Sequence, residues 1–432
     1  MTDPRYLAVR LLDKTFSSGS YSNIQLDSGL KGSDLDDRGK KLCSAIYYGV
    51  IERKLTLDHI IAGLSSRPIE KLDSIILNIL RCGVYQIMYM DSVPDNAAVN
   101  ESVALAKKFR KVSASGMVNA VLRNFIRSGK ELKLPKDSIK AASVKYSVPV
   151  PFVRALTADY GAEWTENFLA ASLEKSVTFM RVNANRCTEA EFLAALGDIS
   201  AEKLSENCYS AKNGDVTATE AFKKGYFHVQ GLSSQFCCEA LAPAENDIVL
   251  DICAAPGGKT FTMAELMNGR GEIYAFDLHE KRAELISKGA QRLGLANIRA
   301  AAGDATKFNA DLPKFTKILC DVPCSGMGII GKKPEIKYKD LTDFNGLPDI
   351  QYKIVTNALN YLSVGGELVY STCTVRKAEN DEVCDRLLSE HPELEEVMLP
   401  QWNGQSFGSR VTLSPMNGSD DGFFIAKFRK IR

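Results

Sequence analysis

Residues Ile248–Thr260 read IVLDICAAPGGKT and decide the fold of the C-terminal half of the chain. A short apolar run ends at Asp251, and small residues then lead to Gly257, Gly258 and Lys259. This pattern predicts a buried strand, a glycine-rich turn and a helix. Glycines let a ligand approach the backbone, and the first N–H groups of the helix point toward it. The turn predicts a cofactor site, with an ordinary strand-to-helix connection as the alternative.

Similar strand-like runs follow this turn, and each ends in chemically active residues. They are Gly271–Asp277, Ile318–Gly326 and Gly366–Thr374. The glycine spacing fits neither the dinucleotide fingerprint nor the phosphate-binding loop. Asp277 is placed to accept ribose hydroxyls, and Asp304 in GDAT to meet an adenine edge. Because open α/β sheets bind ligands at the carboxyl ends of their strands, one edge should carry Asp277, Asp304, Asp321, Cys324 and Cys373.

The composition is that of a soluble globular protein of two or three domains. The chain has 432 residues, 45% hydrophobic and 25% charged. It has no apolar run of about 18 residues and no signal pattern, so we expect no membrane span and a cytoplasmic location. Eleven scattered cysteines and four histidines lack ligand spacing. This argues against a metal site and for a reducing compartment.

Residues 1–130 are predicted to be entirely helical. Apolar residues recur at helical spacing in this region, and Ile75–Met90 is apolar enough for a central buried helix. Residues 1–135 carry 20 Lys+Arg against 14 Asp+Glu, which leaves 34 against 39 in the remainder. A basic N-terminal part suggests nucleic-acid affinity in local patches. An ordinary solvated surface would give the same excess of charge.

Residues 131–230 are less informative and are predicted to form a small connecting α+β subdomain. Prolines at 149 and 151 mark a break, helical patterns follow, and Phe179–Asn185 alternates like a strand. His228 lies at a strand end, where a structural role is more common than acid–base catalysis. The catalytic domain is expected over residues 231–432.

Five motifs in order resemble the signature set of the RNA cytosine-C5 methyltransferases of the bacterial RsmB (Sun, or Fmu) type. They are DICAAPGGKT, DVPCSG, PEIKY at Pro334–Tyr338, STCT and Glu379–Asn380. Residues from Tyr6 to Arg127 are similar to the NusB family of RNA-binding helical domains. The resemblance implies a multi-domain protein with an all-α NusB-like domain, the connecting subdomain and a Rossmann-like class I methyltransferase domain.

The cofactor implied by the resemblance is S-adenosylmethionine, and no metal is expected. In the family the thiol of the Thr–Cys motif, here Cys373, is the nucleophile. Cys324 of the Pro–Cys motif is implied to help to resolve the covalent adduct and release product. The implied cofactor-binding residues are Cys253, Ala254, Ala255, Pro256, Gly257, Gly258, Lys259, Asp277, Asp304 and Asp321.

Two charged residues are further candidates for the chemistry. Asp321 is placed to bond the N3 or amino edge of the base, and as a donor to N3 it would have to be protonated, which burial favours. Lys259 is a candidate for supplying positive charge to the thiol or for orienting a base. A plain position at the start of a helix is the alternative for Lys259.

The implied substrate is RNA, most readily 16S ribosomal RNA before full subunit assembly. Phosphate contacts are expected at Arg5, Arg10, Lys107, Lys108, Arg123, Lys332 and Lys333. The chain departs from the family where Gly331, Lys332 and Lys333 replace a common pair of arginines and Tyr338 replaces a common Trp. Lysine lacks the bidentate fork of arginine, so these departures bear on substrate detail.

Three alternatives remain open at this level. A methyltransferase on an amine or protein acceptor would carry an aromatic residue where DVPC has a thiol. A DNA cytosine-C5 methyltransferase would use Cys324 as its nucleophile. A non-catalytic NusB-like RNA-binding factor would not need both thiols and an intact cofactor loop.

Overall fold

The computed structural model describes residues 3–18, 22–174 and 177–432. The chain forms two compact units, each assembled from separate stretches of sequence. Met1–Leu173 and Ile330–Lys339 form the first, which we call the helical unit. Glu174–Ile329 and Asp340–Arg432 form the second, which we call the sheet unit.

The described part of the helical unit contains ten α-helices. They are α1 (Pro4–Ser18), α2 (Ser22–Lys31), α3 (Asp37–Glu52), α4 (Lys54–Leu64), α5 (Ser74–Tyr89), α6 (Asp95–Lys108), α7 (Ser115–Arg127), α8 (Ser138–Tyr146), α9 (Val150–Tyr160) and α10 (Ala162–Ala171). The predicted central helix is α5, whose start is capped by the Asp73 carboxylate. Its apolar face packs into a core shared with α1, α3, α4, α6 and α7. The all-helical prediction for this region is confirmed.

One buried ion pair lies inside this helical core. Arg81 of α5 donates to both carboxylate oxygens of Asp58 on α4, at 2.6 and 2.8 Å. A third bond joins Arg81 to Asn78 at 2.8 Å. Both charged side chains are buried, so the geometry of the pair must offset their loss of hydration.

The helical unit also includes helices that follow residue 130. Thr56 of α4 donates its hydroxyl to the carbonyl of Val144 at 2.6 Å, and Ser147 accepts the N–H of Leu55 at 2.9 Å. These bonds tie α8 to α4. The predicted connecting subdomain over 131–230 is therefore divided, since α8, α9 and α10 pack in the helical unit and the residues from Glu174 onward belong to the sheet unit.

The PEIKY segment is a short 3₁₀ helix that packs within the helical unit. Lys337 donates to the carbonyl of Glu52 at 3.0 Å, and Tyr338 donates to that of Ile51 at 2.7 Å. Both therefore satisfy carbonyl groups at the C-terminal end of α3. Burial lowers the pKa of Lys337 to about 7. This segment lies within residues 231–432, the range predicted for the catalytic domain, but it packs in the helical unit.

The sheet unit alternates strands with helices. Its described strands are β1 (Thr178–Val182), β2 (Ala201–Ser205), β3 (Cys208–Ala211), β4 (Phe227–Val229), β5 (Ile248–Asp251), β6 (Glu272–Asp277), β7 (Ile298–Ala302), β8 (Phe315–Asp321), β9 (Leu362–Thr372), β10 (Leu394–Glu396), β11 (Arg410–Leu413) and β12 (Phe423–Lys430). Its helices are α11 (Glu189–Ala195), α12 (Glu220–Lys223), α13 (Leu232–Leu241), α14 (Gly258–Leu266), α15 (Glu280–Leu293), α16 (Leu347–Leu359) and α17 (Asp381–Glu390).

The main sheet has the order β10-β12-β9-β8-β5-β6-β7, with β11 paired to β12. The pairs among β5 to β9 are parallel, and β12 runs antiparallel to β9. Alternate residues pack on opposite faces. Val249, Leu319 and Val369 meet α13 and α14 on one face, while Leu250, Ile318 and Leu368 meet α16 and α17 on the other. This is the expected Rossmann-like arrangement.

A second sheet, of order β2-β3-β1-β4, precedes the main one in the chain. Buried polar side chains join it to the helices of the main sheet. Arg181 of β1 lies 3.3 Å from the Glu265 carboxylate on α14, and His228 of β4 lies 3.2 Å from the Thr262 hydroxyl. His228 therefore has the structural role expected of it.

The buried pair predicts a stability test in the helical unit. We expect Asp58→Ala to lower the free energy of unfolding by about 3 kcal/mol, because it leaves the Arg81 charge buried without its partner. Urea denaturation followed by circular dichroism measures the loss. Glu166→Ala, at an exposed pair with Lys145, is the matched control and should cost less than about 1 kcal/mol. Equal losses in both variants would contradict the interpretation.

Candidate active site

Two thiols lie together at the carboxyl ends of β8 and β9. The strands are parallel, and Asp321 pairs with Ser371 at the end of the ladder. The loops that follow carry Cys324 and Cys373, whose Sγ atoms are 3.2 Å apart. Both side chains are partly exposed, whereas eight of the eleven cysteines are buried. Sequence reasoning had predicted that these two thiols meet.

Hydroxyl groups tie the two thiol loops to each other. Ser325 and Thr374, each one residue beyond a thiol, hydrogen-bond through their side chains at 2.8 Å. Asn380 accepts from the Thr372 hydroxyl at 2.6 Å and donates to the Thr374 carbonyl at 3.0 Å. All four side chains are buried. The spacing of the thiols is thus held by short bonds on both sides of Cys373.

A close backbone approach fixes the Cys324 loop at its far end. The N–H of Gly328 donates to the Cys373 carbonyl at 3.0 Å, and the Gly328 carbonyl accepts from Gly422 at 2.9 Å. A Cβ at Gly328 would lie 1.8 Å from the Gly422 oxygen and 2.8 Å from the Cys373 oxygen. Only glycine fits there.

A buried carboxylate holds the peptide groups that flank Cys324. Glu379 accepts from the N–H of Ser325 at 2.9 Å and from the Gln351 side-chain amide at 3.0 Å. The same amide donates to the carbonyl of Pro323 at 3.0 Å. Glu379 is fully buried, with Arg376 at 3.8 Å from its second oxygen.

Lys259 and Asp321 form an ion pair between the glycine-rich loop and the end of β8. Lys259 Nζ lies 2.7 Å from one Asp321 oxygen, and the Ser371 hydroxyl donates to the other at 2.8 Å. Burial lowers the pKa of Lys259, but Asp321 and the nearby buried thiols outweigh it and raise that pKa above its usual value. Both Asp321 oxygens therefore accept hydrogen bonds from the protein, and the donor role considered from the sequence lacks support here.

The glycine-rich loop has the predicted strand, turn and helix. Gly257 has φ +111° and immediately precedes α14, and a Cβ on it would lie 2.4 Å from the Phe261 ring. The N–H of Ala254 donates to Phe276 at 2.7 Å, which fixes the loop against β6. The Phe261 ring and the positive φ therefore require glycine at 257, whereas a Cβ on Gly258 would come no closer than 4.0 Å to Gln230.

Asp251 at the end of β5 is the most perturbed carboxyl group near this loop. It accepts from the Thr260 hydroxyl at 2.7 Å, while its other oxygen is buried without a partner. Burial, with a further contribution from the Asp321 charge, raises its pKa to about 7, against the lowering effect of Thr260 and Lys259. Because the side chain is enclosed, Asp251 holds the start of α14 against the end of β5 and is closed to a ligand.

The other two predicted cofactor carboxylates end the next strands. Asp277 is buried, accepts the N–H of His279 at 3.2 Å and lies 3.2 Å from Arg282. Arg282 also donates to the carbonyl of Ala255 at 2.9 Å, which links the two loops. Asp304 accepts hydrogen bonds from the backbone N–H and the hydroxyl of Thr306, and it lies 3.1 Å from Lys307 Nζ. The ribose and adenine roles of these carboxylates stay predictions.

The residues along this edge fit S-adenosylmethionine. The start of α14 supplies backbone N–H groups, and Asp277, Asp304 and Asp321 near the ends of successive strands supply acceptors for a ligand with hydroxyl and amino groups. The predicted residues Cys253, Ala255 and Pro256 lie in the same loop, and Cys253 is partly exposed. Among the residues that the structure describes, no group of metal-ligating side chains is present and no helix is long and apolar enough to cross a membrane.

The predicted RNA contacts lie in the helical unit, and their environments differ. Arg10 and Lys107 are exposed. Arg5 donates to the buried Gln86 at 2.7 Å, and Lys108 lies 3.6 Å from Asp3 and over the Tyr6 ring. Exposed positions also hold Arg123, Lys332 and Lys333. Arg5 has a structural partner, so Arg10 and Lys107 are the better candidates for phosphate.

Several supporting residues could not be found from the sequence. Gln351, Ser371 and Gly422 act through contacts with loops 28 to 94 positions away, which no local pattern indicates. The motif Glu379–Asn380 does not by itself indicate a role for Glu379. The adjacent Cys237 and Cys238 are buried in the core, as expected of core residues.

The raised pKa of Asp251 predicts a pH-dependent stability. The folded chain holds a proton on Asp251 that the unfolded chain releases near pH 3.8, so this contribution is complete below pH 3.8 and is lost as pH rises through about 7. We expect the Tm of the cofactor-free protein to fall between about pH 4 and about pH 7 and to level off above that, and Asp251→Asn to reduce that fall. Asp349→Asn, at an exposed carboxylate on α16, is the control. Parallel curves for wild type and Asp251→Asn would contradict this origin.

Comparisons with known proteins agree with this geometry. The family described as 16S rRNA methyltransferase RsmB/F matches residues 238–429, and the NusB family matches residues 2–127. A probable ribosomal RNA small subunit methyltransferase B of Bacillus subtilis is 34% identical and is covered over 99% of both chains. A ribosomal RNA small subunit methyltransferase B of Pseudomonas putida is 31% identical, again over 99% of both.

A solved structure shares the fold. The methyltransferase homolog protein from Pyrococcus horikoshii superposes with a TM-score of 0.60 at 26% identity, over 69% of this chain and 100% of that one. The thiol pair, the glycine-rich loop and these matches lead to one conclusion. The chain belongs to the RsmB/F family of S-adenosylmethionine-dependent 16S rRNA methyltransferases and carries an N-terminal NusB domain.

Proposed function

We propose that the protein methylates carbon 5 of a cytosine in 16S ribosomal RNA through a covalent cysteine adduct. The observation that carries the proposal is the 3.2 Å approach of the Cys324 and Cys373 thiols at one strand edge. Membership of an rRNA methyltransferase family argues against the DNA-directed and non-catalytic alternatives. A paired thiol also distinguishes the site from one that methylates an amine.

The chemistry explains the need for a thiol. Carbon 5 of cytosine is too weak a nucleophile to take a methyl group directly. When the Cys373 thiolate adds to carbon 6, the ring becomes an enamine whose carbon 5 can attack a methyl group. A base then removes the proton from carbon 5, and the thiolate leaves as the ring regains its double bond. S-adenosylmethionine supplies the sulfonium methyl group when bound.

The environment of the thiols supports Cys373 as the nucleophile. The hydrogen bond with Cys373 and burial raise the pKa of Cys324 well above its ordinary value. Two neighbouring thiolates repel each other, so Cys324 keeps its proton and Cys373 is left to ionise. As a thiol, Cys324 is positioned to assist when the adduct is resolved.

The charged pair supports the orientation of the base. Lys259 holds Asp321 by an ion pair, and Ser371 bonds the second oxygen. An Asp321 carboxyl group fixed in this way can accept a hydrogen bond from the cytosine amino group. We therefore assign Asp321 to recognition of the base and Lys259 to its positioning. The glycine-rich loop, Asp277 and Asp304 are assigned to the cofactor.

The expected substrate is RNA that is not yet fully packed. A cytosine inside a helix must leave its stack before a thiol reaches carbon 6, and a loop or partly folded RNA lowers that cost. Naked 16S RNA or an early assembly intermediate is therefore favoured over a complete subunit. Arg10 and Lys107 of the NusB domain are assigned to phosphate contacts. We place this activity in the cytoplasm.

The assignment of the two thiols is tested by methyl transfer from labelled S-adenosylmethionine to 16S RNA, followed by digestion to nucleosides. Wild type should yield 5-methylcytidine, and Cys373→Ala should yield none because it cannot form the adduct. Cys324→Ala should accumulate a covalent RNA complex that is visible on denaturing gels. If Cys373→Ala stays active, the nucleophile assignment is wrong; if no RNA gains 5-methylcytidine, the reaction type is wrong.

The backbone approach at Gly328 predicts a second effect on activity. Gly328→Ala should lower methyl transfer about 100-fold, because its Cβ would displace the Cys324 loop by an amount comparable to the misplacements that have this cost. Gly346→Ala, where a Cβ meets nothing within 4 Å, is the matched control and should retain normal turnover. Similar rates in the two variants would show that the loop tolerates the displacement.

A further inference from the structure

The proposed mechanism leaves one buried charge at the active site without a role. The carboxylate of Glu379 is fully buried, and its second oxygen makes no hydrogen bond in the described structure. A buried anion with a single arginine at 3.8 Å is costly to keep. The desolvation cost of burying this carboxylate indicates that Glu379 has a function at the site.

The contacts of Glu379 centre on Cys324. One Glu379 oxygen accepts the N–H that follows Cys324, and Gln351 joins that same oxygen to the carbonyl that precedes Cys324. Both peptide groups around the thiol are therefore fixed by one carboxylate and one amide. Tyr370 in turn donates its hydroxyl to the backbone carbonyl of Glu379, which holds the carboxylate in place.

The charge of Glu379 also bears on the thiol. Cys324 faces Cys373 from the loop after β9, Tyr370 from β9, Glu379 from the 3₁₀ helix Lys377–Glu379, and the N–H of Gly326 from its own loop. Cys373 and burial raise the pKa of Cys324 most, and the nearby Glu379 carboxylate adds to that rise. Arg376 lies on the far oxygen and offsets the field of Glu379 in part.

We propose that Glu379, together with Gln351, is a positioning residue that holds Cys324 beside Cys373 as an uncharged thiol. The carboxylate thereby decides which of two neighbouring thiols ionises. This inference rests on the proposed function, in which Cys373 is the nucleophile. Gln351 supplies the geometry, and the Glu379 charge supplies the discrimination between the thiols.

The two parts of the role are separated by two substitutions. Glu379→Gln keeps the shape and removes the charge. Gln351→Met keeps the side-chain volume and leaves the Glu379 charge in place, but it removes the hydrogen bonds to Pro323 and Glu379. Glu390→Gln, at an exposed carboxylate on α17, is the matched control. Thermal unfolding checks that each variant is folded.

The first readout is the pH profile of thiol alkylation in the free enzyme. Brief iodoacetamide treatment is followed by mass spectrometry of the Cys324 and Cys373 peptides. In Glu379→Gln the Cys324 midpoint should move down by about one pH unit, which is about tenfold more alkylation below the midpoint. Gln351→Met and Glu390→Gln should keep the wild-type midpoint. An unchanged midpoint in folded Glu379→Gln overturns the charge role.

The second readout is steady-state methyl transfer to 16S RNA. Glu379→Gln and Gln351→Met should both lower kcat by about tenfold or more, with KM for RNA unchanged, because the thiol pair and not RNA binding is disturbed. A normal kcat in Gln351→Met overturns the positioning role. Alkylation needs no RNA, so a shifted Cys324 midpoint without any 5-methylcytidine in wild type would reject the proposed function alone.

Discussion

The parallel pairing of β8 with β9 is the constraint on which the site depends. It brings Asp321 level with Ser371, so the loops that leave the two strands start side by side and turn the same way. The two thiols then meet because each lies at a similar short distance beyond its strand. Side-chain and backbone bonds between the loops remove the remaining freedom. The reactive geometry follows from backbone register first and from side chains second.

Charge is distributed around this register with a clear pattern. Lys259 pairs with Asp321 at the end of β8, and Arg376 lies near Glu379 beyond the end of β9. Asp251 is closed off behind the glycine-rich loop. Each buried charge therefore has either a partner or a raised pKa, as the low polarity of the interior requires.

Much of this could be predicted from the sequence, because the information was local. The strand, glycine turn and helix at Ile248–Thr260 follow from periodicity, and the five motifs placed both thiols at one edge. The helical N-terminal region followed from the same periodicity. The contacts that hold the thiols could not be predicted, since Gln351 and Gly422 reach them from distant parts of the chain.

The division of the chain into two units differs from the sequence prediction for a related reason. Helices at 138–171 look alike whichever core they join, and only their bonds to α4 show that they belong to the helical unit. Likewise PEIKY follows the Cys324 motif so closely that the sequence assigns it to the catalytic domain. Its tertiary partners, the carbonyls at the end of α3, are nearly 300 positions earlier.

This segment has a consequence for the modularity of the protein. A fragment that ends at residue 173 would lack Ile330–Lys339, which bonds the C-terminal end of α3. The complementary fragment would carry this segment without the helical unit into which it packs. The first fragment would therefore contain an incomplete helical unit. Recombination that exchanged the NusB-like part for another binding module would therefore have to replace a stretch inside the catalytic half as well. Because each unit is built from two separate stretches of the chain, a single exchange point cannot replace one unit and leave the other whole.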